Sequence, residues 1–337
     1  MFNRAIPTFA AALIAATPLF AQGTDMNFAL DWRFEGPSAP YFLAIDNGHF
    51  AAEGLNVSVA AGEGSLDAIP KVASGAFPMG FADINSLVRF LDQNPGAPVI
   101  AAMMIYDNPP FAIVGRVSQG ISGIEDLEGS KLGAPPPDGA WAQFPILAAV
   151  NNIDVSTITI EPVGFPTREP MLAEGNVDAV TGFNFSSYLS LARLGIPEDD
   201  ITTILYSDHG VALYGNAVIV NTDFAAANPE TVTAMLRAIA RGVSDAVADP
   251  AAGAAAVIAR NPAGDVALET RRLQLALDAN IVTPWVRANG LGDIDPARMA
   301  IAIEQLRLTY QFQNEPDAAL YFTNAYLPEM DVRMVAQ

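Results

Sequence analysis

Ten short apolar segments alternate with stretches of helical periodicity, and this alternation restricts the fold more than any other feature of the chain. The apolar segments are NFALDW, LNVSVAA, MGFAD, PVIAAMMIY, FAIVGR, KLGAP, ITIEPVG, AVTGF, TTILY and NAVIVN. Several are continuous runs of Val, Ile, Ala and Met, which are typical of strands covered on both faces. Helical patterns between them cover residues 40–52, 66–75, 84–92, 140–152, 167–175 and 184–194. Strand–helix alternation of this kind predicts an α/β fold.

Helical patterns replace this alternation after residue 228. Asn228 as a cap, Pro229 at the first helical position and Glu230 in the first turn predict the start of a helix. Further helical segments are PAAGAAAVIAR, DVALETRRLQLALDANI, PARMAIAIEQLRLTY and PDAALYF. Two sheet sections and a helical C-terminal region predict two lobes, each with an open α/β sheet. Ligands bind such sheets where the strands end at their carboxyl termini.

The first residues of the chain have the pattern of an export signal. In MFNRAIPTFAAALIAATPLFAQG, Arg4 precedes the apolar run TFAAALIAATPLF, which is too short to span a bilayer, and the small residue Ala21 precedes a cleavage point. We therefore predict that residues 1–21 are a secretory signal peptide and that the mature protein is soluble and periplasmic. Since the chain contains no Cys, we do not expect a lipoprotein.

Charge and cysteine content exclude several classes of function. The 337-residue chain has a formal net charge of -20, two Lys and no Cys. Nucleic acids are bound by clustered cations, so we expect no nucleic-acid partner. The absence of Cys removes zinc–thiolate sites, iron–sulfur clusters and cysteine nucleophiles. His49 and His209 are far apart in the sequence, and we predict neither a metal nor a cofactor.

Polar and aromatic residues follow four of the predicted strands at the point where each strand ends. The candidates for ligand contact are Asp31 and Trp32; Gly62, Glu63, Gly64 and Ser65; Asp83 and Asn85; and Asp138, Gly139 and Trp141. Each set also has a structural interpretation, since a tryptophan packs well in a core and Asp, Asn and Ser cap helices. A helix beginning near Ser65 offers free N–H groups to an anion or a carbonyl. Three prolines before Asp138 stiffen that loop and lower the entropy cost of binding.

A second set of candidates lies in the second half of the sheet-forming region. Its members are Arg168, the strand-end pair Gly182 and Phe183, Tyr188 in the next helix, and Tyr214 in a segment that crosses between lobes. Arg168 suits a carboxylate or sulfonate, and a surface salt bridge with Glu169 or Glu174 is its structural alternative. Arg33 and Glu35 are close enough in sequence to pair with each other.

The order of several motifs connects the chain to a known family. The segments AIDNGHFAAEGLNV and VASGAFPMGFAD are followed by DLEGSKLGAPPPDGA, EGNVDAVTGF and NPETVTAMLRA. In this order they resemble the solute-binding proteins of ABC importers, in the branch for nitrate, sulfonate, taurine and thiamine-pyrimidine precursors. The resemblance covers nearly all of the chain after the predicted signal peptide.

This resemblance implies a bilobal periplasmic-binding-protein type II fold with a cleft between the lobes. It implies hinges near 106–116 and 207–216, with lobe 1 formed by 22–110 and 212–337 and lobe 2 by 111–211. Carried over by position, the binding roles fall on the candidates named above. The implied mechanism is capture of a solute by lobe closure, followed by delivery to a membrane permease that works with an ATPase. A monomer is the family expectation.

The candidate pocket is rich in Asp, Trp, Phe and Tyr, with Arg33 and Arg168 as the nearby cations. This composition favours an uncharged or amine-bearing heterocycle, such as a pyrimidine, over a simple anion. Taurine or an alkanesulfonate remains the alternative ligand. Two alternative classes of function are a pyrimidine-synthesis enzyme of related fold, which would need a lysine and cysteines, and a receptor that signals to a membrane sensor. We predict no enzymatic activity.

Overall fold

The computed structural model of this protein describes residues 23–335, so the predicted signal peptide lies outside the described residues. Within them, ten strands form two five-stranded sheets. The strands are β1 (Thr24–Ala29), β2 (Leu55–Ala60), β3 (Met79–Asp83), β4 (Val99–Met104), β5 (Phe111–Arg116), β6 (Lys131–Ala134), β7 (Thr159–Pro162), β8 (Ala179–Phe183), β9 (Ile201–Leu205) and β10 (Asn216–Asn221).

Fourteen α-helices accompany these strands in the described part of the chain. They are α1 (Ala39–Asp46), α2 (His49–Ala52), α3 (Ser65–Ala73), α4 (Ile84–Gln93), α5 (Gly139–Asn151), α6 (Arg168–Ala173), α7 (Asn184–Arg193), α8 (Thr222–Ala227), α9 (Pro229–Ala248), α10 (Pro250–Ile258), α11 (Val266–Ala276), α12 (Pro284–Asn289), α13 (Pro296–Arg307) and α14 (Met330–Arg333). The predicted α/β class and the helical C-terminal region are confirmed.

The two sheets have the same topology. The first has the strand order β2-β1-β3-β10-β4, and the second has the order β7-β6-β8-β5-β9. In each sheet the fourth strand is antiparallel to both neighbours, β10 in the first sheet and β5 in the second. The antiparallel strand is in each case the first one formed after the chain crosses from the other sheet.

Continuous apolar sequence explains why the central strands are covered on both faces. Every residue of β10, NAVIVN, is buried, and β3 is buried throughout. On one face of the first sheet, α9 packs closely against α1. At Gly242 of α9 a Cβ atom would lie 2.0 Å from the carbonyl oxygen of Pro40, so this close approach requires glycine. The long C-terminal helices therefore complete the core of the first sheet.

One predicted helix is wrong. The segment PDAALYF forms only a short 3-10 turn, Ala318–Leu320. Its backbone bonds to the edge of the first sheet instead, because the Ala101 N–H donates to the Tyr321 carbonyl at 3.0 Å and the Thr323 N–H donates to the Ala101 carbonyl at 2.9 Å. In a longer helix these backbone N–H and carbonyl groups would form hydrogen bonds within the helix.

The chain crosses between the sheets twice, once between β4 and β5 and once between β9 and β10. The crossings are adjacent, because the Gly215 N–H donates to the Tyr106 carbonyl at 2.9 Å and the Tyr106 N–H donates to the Asn216 carbonyl at 2.9 Å. Hereafter lobe 1 denotes the described residues on the first-sheet side, 23–110 and 212–335, and lobe 2 denotes 111–211. These boundaries stay a prediction, which the position of the crossings supports. In the described residues, no helix has the length and apolar character needed to cross a membrane.

Candidate functional site

Two adjoining cavities lie between the lobes, beyond the carboxyl ends of several strands; together they are called the cleft here. Each cavity has a volume of about 30 Å³. The first is lined by Leu30, Asp31, Trp32, Arg33, Glu35, Pro37, Ser38, Tyr41, Phe81, Tyr106, Phe183 and Phe185. The second is lined by Asp31, Trp32, Gly64, Ser65, Pro137, Asp138, Gly139, Phe165, Arg168, Phe183 and Ser186. Asp31, Trp32 and Phe183 line both.

Asp31 lies just beyond β1, with 6% of its surface exposed. Its Oδ2 accepts hydrogen bonds from Ser65 Oγ at 3.1 Å and from Asn216 Nδ2 at 2.6 Å. Burial raises the pKa of Asp31 to about 7, although both hydrogen bonds act to lower it. Helix α3 begins at Ser65 rather than being capped by it, since Gly64 with φ 116° occupies the cap position. The Ser65 hydroxyl is therefore available to orient Asp31.

Aromatic rings from both lobes form the walls of the cleft. The rings of Trp32 in lobe 1 and Phe165 in lobe 2 meet edge to face, with centroids 4.6 Å apart. Phe183 packs edge to face against Phe185 at 5.7 Å. Such walls suit a planar ligand. The Trp32 Nε1 and the Tyr41 hydroxyl are buried, and neither has a hydrogen-bond partner among the described residues.

Two buried ionic clusters flank the cavities. At the second cavity, Arg168 pairs with Glu169 at 2.6 Å and lies 3.8 Å from Asp138. Burial raises the pKa of Asp138, and the nearby Arg168 opposes that shift. The predicted partner Glu169 is thus the observed one, but the pair is buried at the cleft rather than exposed on the surface. The reason is that α6 directs Arg168 towards β8, where it approaches the Cα of Gly182.

The second cluster joins the lobes at the first cavity. Arg272 of α11 pairs with Glu35 at 2.8 Å. Ser186 of α7 donates to the same carboxylate at 3.1 Å. Arg33 does not pair with Glu35, because its guanidinium lies 5.5 Å from the centre of the Trp32 ring. Glu35, the partner expected for Arg33, therefore pairs with Arg272, which lies 237 positions away in the sequence.

Half of the predicted site residues line the cleft. They are Asp31, Trp32, Gly64, Ser65, Asp138, Gly139, Arg168 and Phe183. Asp138 also caps α5 by accepting from the Ala140 N–H, and it accepts from the Thr181 hydroxyl at 2.8 Å. Gly64 has a φ of 116°, which favours glycine, and a Cβ there would lie at an ordinary contact distance of 3.4 Å from the Pro137 carbonyl oxygen of lobe 2.

Four predicted residues near the lobe 1 loops line neither cavity. Glu63 is exposed, and Gly62 packs so tightly that a Cβ would lie 2.1 Å from the Leu30 carbonyl oxygen. Asp83 caps α4 by accepting from the Asn85 and Ser86 N–H groups. The Asn85 side chain donates to Asp83 at 2.7 Å and to the Tyr214 carbonyl at 2.7 Å. These contacts are structural.

The other four also line neither cavity. Trp141 stacks on Phe144 with centroids 5.7 Å apart, and Gly182 is buried in β8. Tyr188 donates to Glu198 at 2.9 Å, and its ring lies 5.6 Å from the guanidinium of Arg271 in α11. Tyr214 lies under the guanidinium of Arg298 at 4.1 Å, and its hydroxyl accepts from the Asp295 N–H.

Sequence reasoning missed several cleft residues. Tyr41, Phe81, Phe185 and Ser186 lie inside helices or strands, and Glu35, Tyr106 and Phe165 lie in loops. Tyr41, Phe81 and Tyr106 belong to runs whose apolar pattern indicates core packing, and most of their surface is indeed buried. Phe165 follows β7, so a consistent use of the rule that ligands bind at strand ends would have identified this residue.

Comparisons with known proteins relate the chain to one family. The model of the family described as NMT1/THI5 like matches residues 36–253. The riboflavin-binding protein RibY of Chloroflexus aurantiacus is 27% identical over 331 residues, which cover 95% of this chain and 92% of that protein. The formylaminopyrimidine-binding protein of Halalkalibacterium halodurans is 26% identical over 226 residues, 66% of each chain. The 4-amino-5-hydroxymethyl-2-methylpyrimidine phosphate synthase of Aspergillus parasiticus is 26% identical over 67% of this chain and 68% of that protein.

Solved structures agree on the fold. The periplasmic aliphatic sulphonate binding protein SsuA of Escherichia coli superposes with a TM-score of 0.69 and 12% identity, covering 90% of this chain and 99% of that one. At this identity the similarity concerns the fold alone. Together with the two sheets described above, it confirms the predicted bilobal periplasmic-binding-protein fold.

Proposed function

Because the chain belongs to the NMT1/THI5-like family, we propose that it is the solute-binding component of an ABC importer and that it captures a small heteroaromatic solute in the cleft. One observation carries this proposal: ring walls from both lobes enclose a buried carboxylate. Trp32 and Phe165 meet across the cleft, so the lobes must separate before a ring-sized solute can enter. Closure of two lobes around a ligand is the mechanism that such a geometry favours.

The charge balance of the cleft supports a neutral or cationic ligand. The cations Arg168 and Arg272 are already paired with Glu169 and Glu35. Asp31 has no ion-pair partner among the described residues and faces both cavities. A sulfonate or nitrate there would meet an unpaired carboxylate, at an energetic cost. Taurine and alkanesulfonates are therefore the second choice of ligand, and the names of the riboflavin- and formylaminopyrimidine-binding relatives support the first.

The proposed cycle has no chemical step. The open protein meets its solute in the periplasm, the lobes close, and the closed form docks on a membrane permease that a partner ATPase drives. We propose a monomer with no nucleic-acid partner, exported by the segment 1–21. Coverage of 95% of the chain by a binding protein, against 67% by a synthase, supports binding over catalysis. Recovery of the bound solute unchanged after long incubation is the expected result, and turnover would contradict it.

A thermal-shift screen tests the ligand class directly. The panel contains riboflavin, 4-amino-5-hydroxymethyl-2-methylpyrimidine, taurine, an alkanesulfonate and nitrate. A ligand at 100 times its dissociation constant adds about 2.7 kcal/mol to the free energy of unfolding. We expect stabilisation by at least one heterocycle. A response confined to sulfonates or nitrate would overturn the heteroaromatic class and keep the transport role.

Trp32→Ala tests the ring wall. We expect it to weaken binding of the responding heterocycle by roughly 1–3 kcal/mol, because the ring contacts the solute and closes the cleft. Trp141→Ala is the matched control, since Trp141 lines neither cavity. Isothermal titration calorimetry of both folded variants provides the comparison. Equal affinities for the two variants would remove Trp32 from the site.

A further inference from the structure

We propose that the first cavity selects heteroaromatic rings that carry an N–H group beside a hydrogen-bond acceptor on one edge. In this arrangement Asp31 Oδ1 accepts from the ring N–H, and the Trp32 N–H and Tyr41 O–H groups donate to the adjacent acceptor. The inference rests on the proposed function and specifies its ligand. It depends on three polar groups that have no hydrogen-bond partner in other residues of the described part of the chain, and all three belong to residues that line the first cavity.

The first group is one oxygen of Asp31. Ser65 Oγ and Asn216 Nδ2 both donate to Oδ2, while Oδ1 accepts from no other described residue. The Ser65 hydroxyl is itself oriented, because its oxygen accepts from the Asp83 N–H at 3.0 Å. With two donors on Oδ2, any proton on this carboxyl must sit on Oδ1. A ligand N–H at Oδ1 therefore selects the ionised form.

The second and third groups are donors. The indole N–H of Trp32 can only donate, and it is buried with no acceptor within residues 23–335. The hydroxyl of Tyr41 is equally buried and unpaired among the described residues, on a side chain with 2% exposure. Buried donors are normally satisfied, so an acceptor supplied by the ligand accounts for both. Much of the remaining wall is apolar or aromatic, which leaves this edge of the ring to decide specificity.

Two kinds of ring share this chemistry. The pyrimidinedione edge of a flavin has an N–H between two carbonyl groups. An aminopyrimidine has an exocyclic N–H beside a ring nitrogen. Nitrate and simple alkanesulfonates carry only acceptors and offer Asp31 nothing to accept from, and taurine has a donor but no flat ring. The shared pattern, a donor next to an acceptor on a flat ring, is what the cavity recognises.

Blocking the ligand N–H tests the contact. The probes are riboflavin with 3-methylriboflavin, and 4-amino-5-hydroxymethyl-2-methylpyrimidine with its 4-dimethylamino analogue, each titrated calorimetrically into the whole protein. We expect at least one parent compound to bind and its methylated partner to bind at least about tenfold more weakly. The pair of compounds that shows this difference identifies the kind of ring that the cavity binds, a flavin or an aminopyrimidine.

The Asp31→Asn variant distinguishes the loss of the ligand's hydrogen bond from a steric effect of the added methyl groups. Its amide oxygen keeps the two donors at the Oδ2 position, so the Oδ1 position becomes an N–H donor of unchanged size. The variant should bind the parent compound about tenfold more weakly, and methylation should then cost less than about threefold. A purely steric penalty would persist in the variant. Tyr41→Phe should reduce the affinity for the parent compound by less than about tenfold. Tyr326→Phe should leave the affinity unchanged, because Tyr326 lines neither cavity.

The outcomes are distinguishable. Parent and methylated ligands that bind the native protein equally would overturn this inference while the proposed function stands. A methylation penalty of the same size in Asp31→Asn would overturn it too. If neither parent ring binds, both the inference and the heteroaromatic ligand class fail, and binding of a sulfonate would then identify the transported class.

Discussion

Asp31 is maintained in the fold at a cost to stability. Its carboxyl is buried, and burial raises its pKa to about 7. The charged and titratable groups that face it are the carboxylate of Asp83, which raises the pKa further, and the phenols of Tyr41 and Tyr106. No described cation pairs with it. A buried carboxyl with one free oxygen is typical of a group retained for binding rather than for folding.

Asp31→Asn should stabilise the ligand-free protein, and more so at high pH. The folded-state pKa of about 7 lies above the ordinary aspartate pKa of 3.8, so ionised Asp31 destabilises the fold increasingly as the pH rises from about 4 to about 7. At 1.36 kcal/mol per unit, the gain in free energy of unfolding should be roughly 2–4 kcal/mol larger at pH 8 than at pH 4. Urea unfolding at the two pH values measures it.

Asp154→Asn provides the opposite case as a control. Hydrogen bonds from Ser156 lower the pKa of Asp154, so its ionised form stabilises the folded state at pH values above the ordinary pKa of an aspartate. Its replacement should slightly destabilise the protein at pH 8 and not at low pH. If the Asp31 variant behaved like the Asp154 variant, Asp31 would be a solvated carboxylate.

At the scale of elements, helix α11 holds the lobes together in the closed arrangement. Arg271 donates to Glu198 of lobe 2 at 2.7 Å, and its guanidinium lies 5.6 Å from the centre of the Tyr188 ring. The adjacent Arg272 reaches Glu35 and donates to Ser186 of lobe 2 at 3.2 Å. A π-helical turn, Leu277–Ile281, follows α11 and contacts the first crossing through hydrogen bonds with Asn108. Single π turns often occur at functional positions.

Arg271→Ala should weaken ligand binding without affecting the fold. The Arg271–Glu198 pair is about half exposed, and such pairs contribute roughly 0.2–1 kcal/mol. Since the pair forms only when the lobes are closed, the dissociation constant should rise about 1.5- to 5-fold, and less at high salt. Arg307→Ala is the control, because Arg307 pairs with Glu304 and Glu315 inside lobe 1. An equal change in both variants would show that α11 does not stabilise the closed form.

At the scale of the whole molecule, the two lobes enclose a cleft whose entrance is closed by their own side chains. Trp32 meets Phe165 across it, and Arg89 of α4 donates to Gln143 of α5 at 3.0 Å. The contacts of α11 described above and the two adjacent crossings also connect the lobes. Few covalent connections and a small set of contacts favour rigid-body opening.

Small-angle X-ray scattering should detect that opening. Without ligand we expect a larger radius of gyration than the closed arrangement has, because open lobes solvate Asp31. Saturation with the heterocycle found in the screen should reduce it to the closed value. Identical scattering curves with and without a bound ligand would contradict lobe closure, while calorimetric binding would still be informative about the site.

The ten strands are predictable from the amino-acid sequence alone, because continuous apolar runs bounded by turns have few other stable arrangements. The sequence also located Asp31, Trp32 and Asp138, since polar groups directly after a strand are recognisable from local pattern. The partners of those groups follow from the three-dimensional packing and not from the local pattern. Arg168 is buried rather than exposed, Glu35 pairs with Arg272, and Phe165 faces Trp32 because distant segments fold onto one another. Local periodicity carries no information about such pairings, which depend on the packing of two lobes around a shared cleft.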